Sequence, residues 1–259
     1  MPGRSIRFAL ALALLLSPVW SGVARAQGTA RSPVQPSAPG DFMLGRPKGF
    51  LAVDGGFLFA NAGSDLYDFV TEQLTLDKKA FNAPIVGLRL GALITPRLEV
   101  GVLVEQSRTS VTSEYRDFVD NNQLPITQTT GLQEYQVAAN LRWSLVPSGR
   151  RISRFAWIPR TVTPFMGAGA GAIKYRFEQY GSFVDFQTFK VFNSSFRSEG
   201  WAPSAHAFVG ADLRVYRRIY VTGEARYTWS SAPLGEDFVD FDPISLAGVR
   251  VGGSLKLVF

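Results

Sequence analysis

Acidic and basic side chains recur at alternate positions in segments whose intervening positions are apolar. Glu224 and Arg226 flank Ala225, Arg250 sits between Val249 and Val251, Lys256 between Leu255 and Leu257, and Arg142 between Leu141 and Trp143. Extended backbone turns successive side chains to opposite faces, so the charges share one face and the apolar residues the other. The charged face carries six acids (Asp54, Glu99, Glu105, Glu134, Asp212 and Glu224) and seven bases (Arg89, Arg142, Lys174, Arg214, Arg226, Arg250 and Lys256). In a narrow space such near balance supports two chemistries. The charges pair into a network that fills the space, or they line a constriction that selects ions.

His206 is the only histidine, and Ser204 shares its face. A serine–histidine–acid hydrolase can be drawn from these residues. The plainer reading is that His206 is one more polar lining residue. Without a second histidine or any cysteine, no metal or cofactor is expected.

Eight alternating segments must position these residues: Phe50–Asn61, Pro84–Ile94, Leu98–Thr112, Leu132–Leu145, Thr163–Phe177, Trp201–Val215, Ile219–Ser230 and Ile244–Phe259. Each reaches the roughly 9–11 residues that a tilted strand needs to cross a bilayer. Tight turns at 95–97 and 216–218 alternate with long loops, as in barrels that carry short turns on the periplasmic side. Counted from those turns, Arg89, Glu105, Glu224, Arg226 and Arg250 fall near mid-depth, with Asp54 and Arg142 on the same lumen-facing parity. Eight strands enclose a bore barely wider than its own side chains.

The amino terminus gives a matching address. Arg4 and Arg7 precede the apolar run Phe8–Leu16 and the small-residue site Ala24-Arg-Ala26, which together read as a secretory signal peptide over 1–26. Residues 27–48, with Pro33, Pro36, Pro39 and Pro47, read as a flexible periplasmic leader, and 49–259 as the barrel. Removing the signal lowers Lys plus Arg from 27 to 24 against 21 acids. The net charge then falls from +6 to about +3, and nucleic acid is not expected as a partner.

Gly167-Ala-Gly-Ala-Gly171, Glu224-Ala-Arg-Tyr-Thr-Trp229 and the terminal Ser254-Leu-Lys-Leu-Val-Phe259 resemble the small eight-stranded outer-membrane β-barrel superfamily. That superfamily includes the OmpA transmembrane domain, opacity-type proteins and OmpW. The resemblance covers about residues 49–259. It implies an all-β, eight-stranded antiparallel up-and-down transmembrane β-barrel in the bacterial outer membrane, with both termini periplasmic. Outer-membrane lipids and lipopolysaccharide are then the expected surroundings. The barrel assembly machinery is an expected partner, with Leu255, Leu257 and Phe259 as its signal. The chain ends at the barrel, so the peptidoglycan tether of OmpA is not implied.

The loops supply further candidates. Asp65, Asp68, Glu72 and Asp77 in loop 1, and Glu236, Asp237, Asp240 and Asp242 in loop 4, could bridge a divalent cation, although solvated acids are the plainer reading. Tyr180, Phe183, Phe186, Phe189, Phe192 and Phe196 in loop 3 either pack over the barrel mouth or form a contact patch for an extracellular ligand or protein. Arg150, Arg151, Arg154 and Arg160 beside Trp157, in the connection 146–162, suit an anionic headgroup surface or a solvated loop. The expected role is non-enzymatic: envelope structure or surface interaction through the loops. A narrow channel for small hydrophobic or ionic solutes is the alternative, and an outer-membrane lipid hydrolase comes last.

Overall fold

A computed structural model describes residues 42–259 apart from Asn121 and Arg154. The expected signal peptide, most of the leader and Arg154 therefore lie outside the described residues. Among the described residues, eight long strands run in chain order: β1 Gly49–Ala60, β2 Ala83–Leu93, β3 Leu98–Val119, β4 Pro125–Ser144, β5 Val162–Val184, β6 Val191–Tyr216, β7 Ile219–Ala232 and β8 Gly248–Val258. Each pairs antiparallel with its sequence neighbours. β8 also pairs with β1, from Gly248 opposite Ala60 to Val258 opposite Phe50. The sheet therefore closes as an up-and-down barrel without a free edge. Phe259 secures the seam: its carbonyl accepts from the N–H groups of Lys48 (2.7 Å) and Gly49 (3.0 Å), and its N–H donates to the Gly49 carbonyl (2.9 Å).

The outside of the barrel is apolar and the inside polar. Val53, Phe57, Leu88, Leu90, Val102, Val104, Leu141, Val209, Val221, Val251 and Leu255 all point outward and are exposed. Between them Asp54, Arg89, Glu99, Glu105, Glu134, Arg142, Asp212, Arg226, Arg250 and Lys256 are buried in the lumen. That inversion of the soluble pattern identifies a transmembrane barrel, because an outer surface of leucine and valine is stable only against lipid. No described helix is long and apolar enough to cross a membrane.

The four central strands depart from the sequence reading. β3, β4, β5 and β6 run 22, 20, 23 and 26 residues, twice what a bilayer requires. The connections expected as long loops 3–4 and 5–6 are thus mostly strand, rising as two hairpins beyond the membrane. Along the way the hydrophobic parity reverses. Within the membrane the inward positions of β5 are Gly167, Gly169 and Gly171; above it they are Ile173, Tyr175 and Phe177, all buried. Lys174 consequently faces outward and is exposed, which corrects its assignment to the lumen. Once a strand leaves lipid, its outer face meets water and its inner face is free to build an ordinary core.

That core lies at the loop end. The connection β1–β2 folds into helix α1, Asp65–Gln73, followed by a 3₁₀ turn, Lys78–Phe81. Leu66, Tyr67 and Val70 of α1 pack with Leu74, Phe81, Tyr115, Ile126, Leu132, Ile173, Phe177, Phe238, Ile244 and Leu246 into one apolar cluster. At the turn end a smaller cluster joins Met43, Phe50, Leu93, Tyr220 and Val258. The connection 146–162 forms a hairpin of Gly149–Arg151 and Ala156–Pro159. Met43–Leu44 pairs with it at Trp157 and Ala156. The leader is therefore tied down over its last residues, because pairing there satisfies backbone groups that a flexible segment would leave to water.

Gly171 shows how tightly the wall is built. A Cβ there would meet the Val137 carbonyl and sit 2.5 Å from Ala138 Cα and 2.8 Å from Ala138 Cβ. Gly171→Val is expected to cost about 1–3 kcal/mol by overpacking, seen as a lowered urea midpoint for the refolded barrel. An unchanged midpoint would mean that the wall has room to give.

Candidate functional site: a paired lumen between two caps

Alternation places the charged residues on the lumen wall, and the strand register brings them together across it. One chain of contacts runs Asp54–Arg89–Glu224–Arg226–Glu105–Arg250–Glu134. Arg89 donates to Asp54 and to Glu224, each at 2.7 Å. Arg226 donates to Glu224 at 2.8 Å and to Glu105 at 3.1 Å. Arg250 reaches Glu105 at 3.0 Å and Glu134 at 2.7 Å. Acid and base alternate along the chain, with four carboxylates and three guanidiniums.

A second group lies nearer the turn end. Lys256 donates to Glu99 at 2.7 Å and reaches Asp212 at 3.3 Å. Arg142 bonds Asp212 and lies 3.7 Å from Glu99. Thr222 donates to Asp212 at 2.6 Å. The Arg142 guanidinium also lies over the Phe165 ring, 3.4 Å from its centroid, so its face as well as its edge is occupied. This second group holds two charges of each sign.

All seven predicted lumen residues, Asp54, Arg89, Glu105, Arg142, Glu224, Arg226 and Arg250, belong to these two groups. Glu99, Glu134, Asp212 and Lys256 join them, and lumen parity alone indicated each. The cavities left among these side chains hold about 30 Å³ beside Asp54, Arg89 and Glu224, and about 10 Å³ beside Glu99, Arg142 and Lys256. Spaces of that size take one or two waters and no hydrated ion.

His206 Nε2 lies 2.7 Å from Asn140 Oδ1, over the point where Gly169 has no side chain. A Cβ on Gly169 would collide with both groups. The Ser204 hydroxyl is buried without a hydrogen-bond partner, as is His206 Nδ1. The structure therefore pairs the histidine with an amide, and a serine–histidine–acid relay is not assembled.

At the loop end the aromatic patch divides. Phe183 is buried against Phe196 (ring centroids 4.8 Å apart) and Phe192 (6.0 Å). Phe186 and Phe189 pack on Phe118 of β3 at 5.7 and 6.2 Å, yet remain 46 % and 70 % exposed. Tyr180 and Phe192 are also exposed. The rings thus divide into Phe183, which packs over the mouth, and Tyr180, Phe186, Phe189 and Phe192, which stay exposed. The hairpin tip that carries them is ordered by Asp185, which accepts from the Thr188 hydroxyl (2.6 Å) and the Gln187 N–H (2.8 Å). Those bonds, Thr188 first, hold its carboxyl below the usual carboxylate range.

Four of the loop acids have local partners. Asp65 accepts from the Asp242 N–H, Asp77 from the Lys79 N–H and Asp237 from the Arg197 N–H. Asp68 pairs with Lys78. Among the described residues, no group of three or more metal-ligating side chains comes together. Leu255, Leu257 and Phe259 face outward and are exposed at the turn end.

No family model matches the chain, and no curated protein matches it. Among solved structures it is similar to Neisserial surface protein A, at 11% identity and a TM-score of 0.44, covering 82% of this chain and 97% of that one. It is similar to OprG from Pseudomonas aeruginosa, at 11% identity and a TM-score of 0.43, covering 83% and 99%. It is also similar to the N-terminal β-barrel domain of Pseudomonas aeruginosa OprF, at 10% identity and a TM-score of 0.35, covering 82% and 97%. At these identities the eight-stranded architecture rests on the strand register of this chain itself.

Proposed function

We propose that this protein is a closed, non-enzymatic barrel of the bacterial outer membrane whose working surface is the ordered structure at its loop end. The observation that carries the reading is closure at three levels. Apolar clusters lie at both mouths, and a paired charge network occupies the middle, with cavities of about 30 and 10 Å³ beside it. Both ends of the barrel segment lie at the turn end, which faces the periplasm, so the two tall hairpins and the α1 cap face outward. Lipopolysaccharide surrounds them there, and the exposed rings of Phe186, Phe189 and Phe192 offer an extracellular ligand or protein an apolar contact. The terminal strand with Leu255, Leu257 and Phe259 is the part that the barrel assembly machinery reads.

Planar-bilayer recording of the refolded protein tests the closure. The expected result is a silent bilayer although the barrel is folded, as shown by heat-modifiable gel mobility. Discrete openings that change in Arg250→Ala would mean that the lumen conducts, and would replace this reading with the narrow channel.

A further inference from the structure

We infer that the turn end carries a binding site for one anionic glycerophospholipid, its phosphate held by Arg46, Arg97 and Arg151 and an acyl chain laid along the adjoining wall. The inference is independent of what the loop end does.

Three separate segments converge to make the headgroup pocket: the end of the leader, the β2–β3 turn and the 149–159 hairpin. They are stitched together by backbone bonds from Ser148 N–H to the Pro96 carbonyl (2.8 Å) and from Ser144 N–H to the Arg97 carbonyl (2.7 Å). Arg46 is fixed by donating Nη2 to the carbonyls of Leu93 (3.1 Å) and Ile94 (3.0 Å), which leaves its Nε and Nη1 uncommitted. Thr95 Oγ1 accepts from the N–H groups of Arg97 and Leu98, so its own hydroxyl proton is free to donate. The pocket bounded by these three arginines, Thr95, Trp143 and Trp157 measures about 660 Å³. No acidic side chain among the described residues pairs with Arg46, Arg97 or Arg151. Three forked cations in one pocket, with no counter-charge among the described residues, suit a phosphate ester, whose oxygens accept bidentate bonds.

A second, apolar groove of about 720 Å³ shares Trp143 with that pocket and runs up the lipid-facing wall. Its floor is low because Ala168 and Ala207 face each other across β5 and β6. Larger side chains, Leu141, Met166 and Tyr227, rise around them. The β3–β4 register sets Trp143 opposite Leu98, at the boundary where an indole suits the headgroup level. A polar head and a chain joined at that level are what a phospholipid presents, whereas free phosphate would use only the lower half.

Native mass spectrometry of the refolded, delipidated protein tests the site, with phosphatidylglycerol and phosphatidylcholine of identical chains in competition. The expected result is about ten-fold greater retention of phosphatidylglycerol. The preference should be lost in R46Q/R97Q/R151Q, with heat-modifiable mobility intact. Ala168→Phe fills the groove from the lipid side; it should weaken phosphatidylglycerol retention while leaving binding of inorganic phosphate unchanged. Equal retention of the two lipids by folded wild-type protein would overturn the proposal. Undiminished phosphatidylglycerol retention in Ala168→Phe would also overturn it, assigning the pocket to phosphate alone.

Discussion

Arg226→Met is expected to destabilise the barrel by about 3–5 kcal/mol, the cost of breaking a buried pair while its partners stay charged. Arg226 is the centre of the seven-residue chain, bonded to Glu224 on one side and Glu105 on the other. Methionine keeps most of the side-chain volume, so the loss reports charge and not packing. It leaves four carboxylates facing two guanidiniums beside a cavity of only about 30 Å³. Glu134→Gln makes the opposite change at the end of the same chain. Among the described bases Glu134 pairs with Arg250 alone, and glutamine still offers that arginine a carbonyl acceptor. The substitution brings the chain to three charges of each sign and should cost about 1 kcal/mol or less. Urea unfolding of both variants in lipid vesicles measures the difference. Equal losses would mean that each pair acts alone and that the balance along the chain is immaterial.

The sequence shows which residues join this network but not how they pair. Dyad alternation alone assigns Asp54, Arg89, Glu224, Arg226 and Arg250 to the lumen, because within the membrane one face must be apolar. Which acid meets which base depends on register across eight strand pairs, which alternation leaves open. The same rule misplaces Lys174, since it treats β5 as lipid-facing along its whole length. Beyond the bilayer, Ile173, Tyr175 and Phe177 turn inward to meet the α1 cap. The cap itself left a signal: Leu66, Tyr67, Val70 and Leu74 follow a helical spacing, with Ser64 before them and Asp65 and Asp68 in the first turn. The acids Asp65, Asp68, Glu72 and Asp77 in and after that stretch made it read as a solvated loop. The docking of the leader onto Trp157 left no signal, because Phe42-Met-Leu44 lacks a strand-length pattern among its prolines.

Tyr67→Ala separates the outer cap from the barrel it closes. Tyr67 is fully buried, meets Phe81 edge-on at 4.6 Å and donates its hydroxyl to the Ser245 carbonyl at 3.0 Å. Truncating so large a buried ring costs about 3–5 kcal/mol. The nine residues of α1 fall short of the roughly 12–15 that an isolated helix needs to persist in water. The expected result is therefore local: amides of 65–73 lose hydrogen-exchange protection while those of β1 to β8 keep theirs. The bilayer should stay silent in this variant, since Arg89, Arg226 and Arg250 still fill the lumen below. Conductance appearing on Tyr67→Ala alone would mean that the cap is the true closure and the charge network is permeable. Protection of 65–73 equal to wild type would show that the cap is held by its other contacts and not by this tyrosine. Loss of protection in the cap without conductance is the outcome that the two layers predict, one closing the mouth by apolar packing and the other closing the bore by charge.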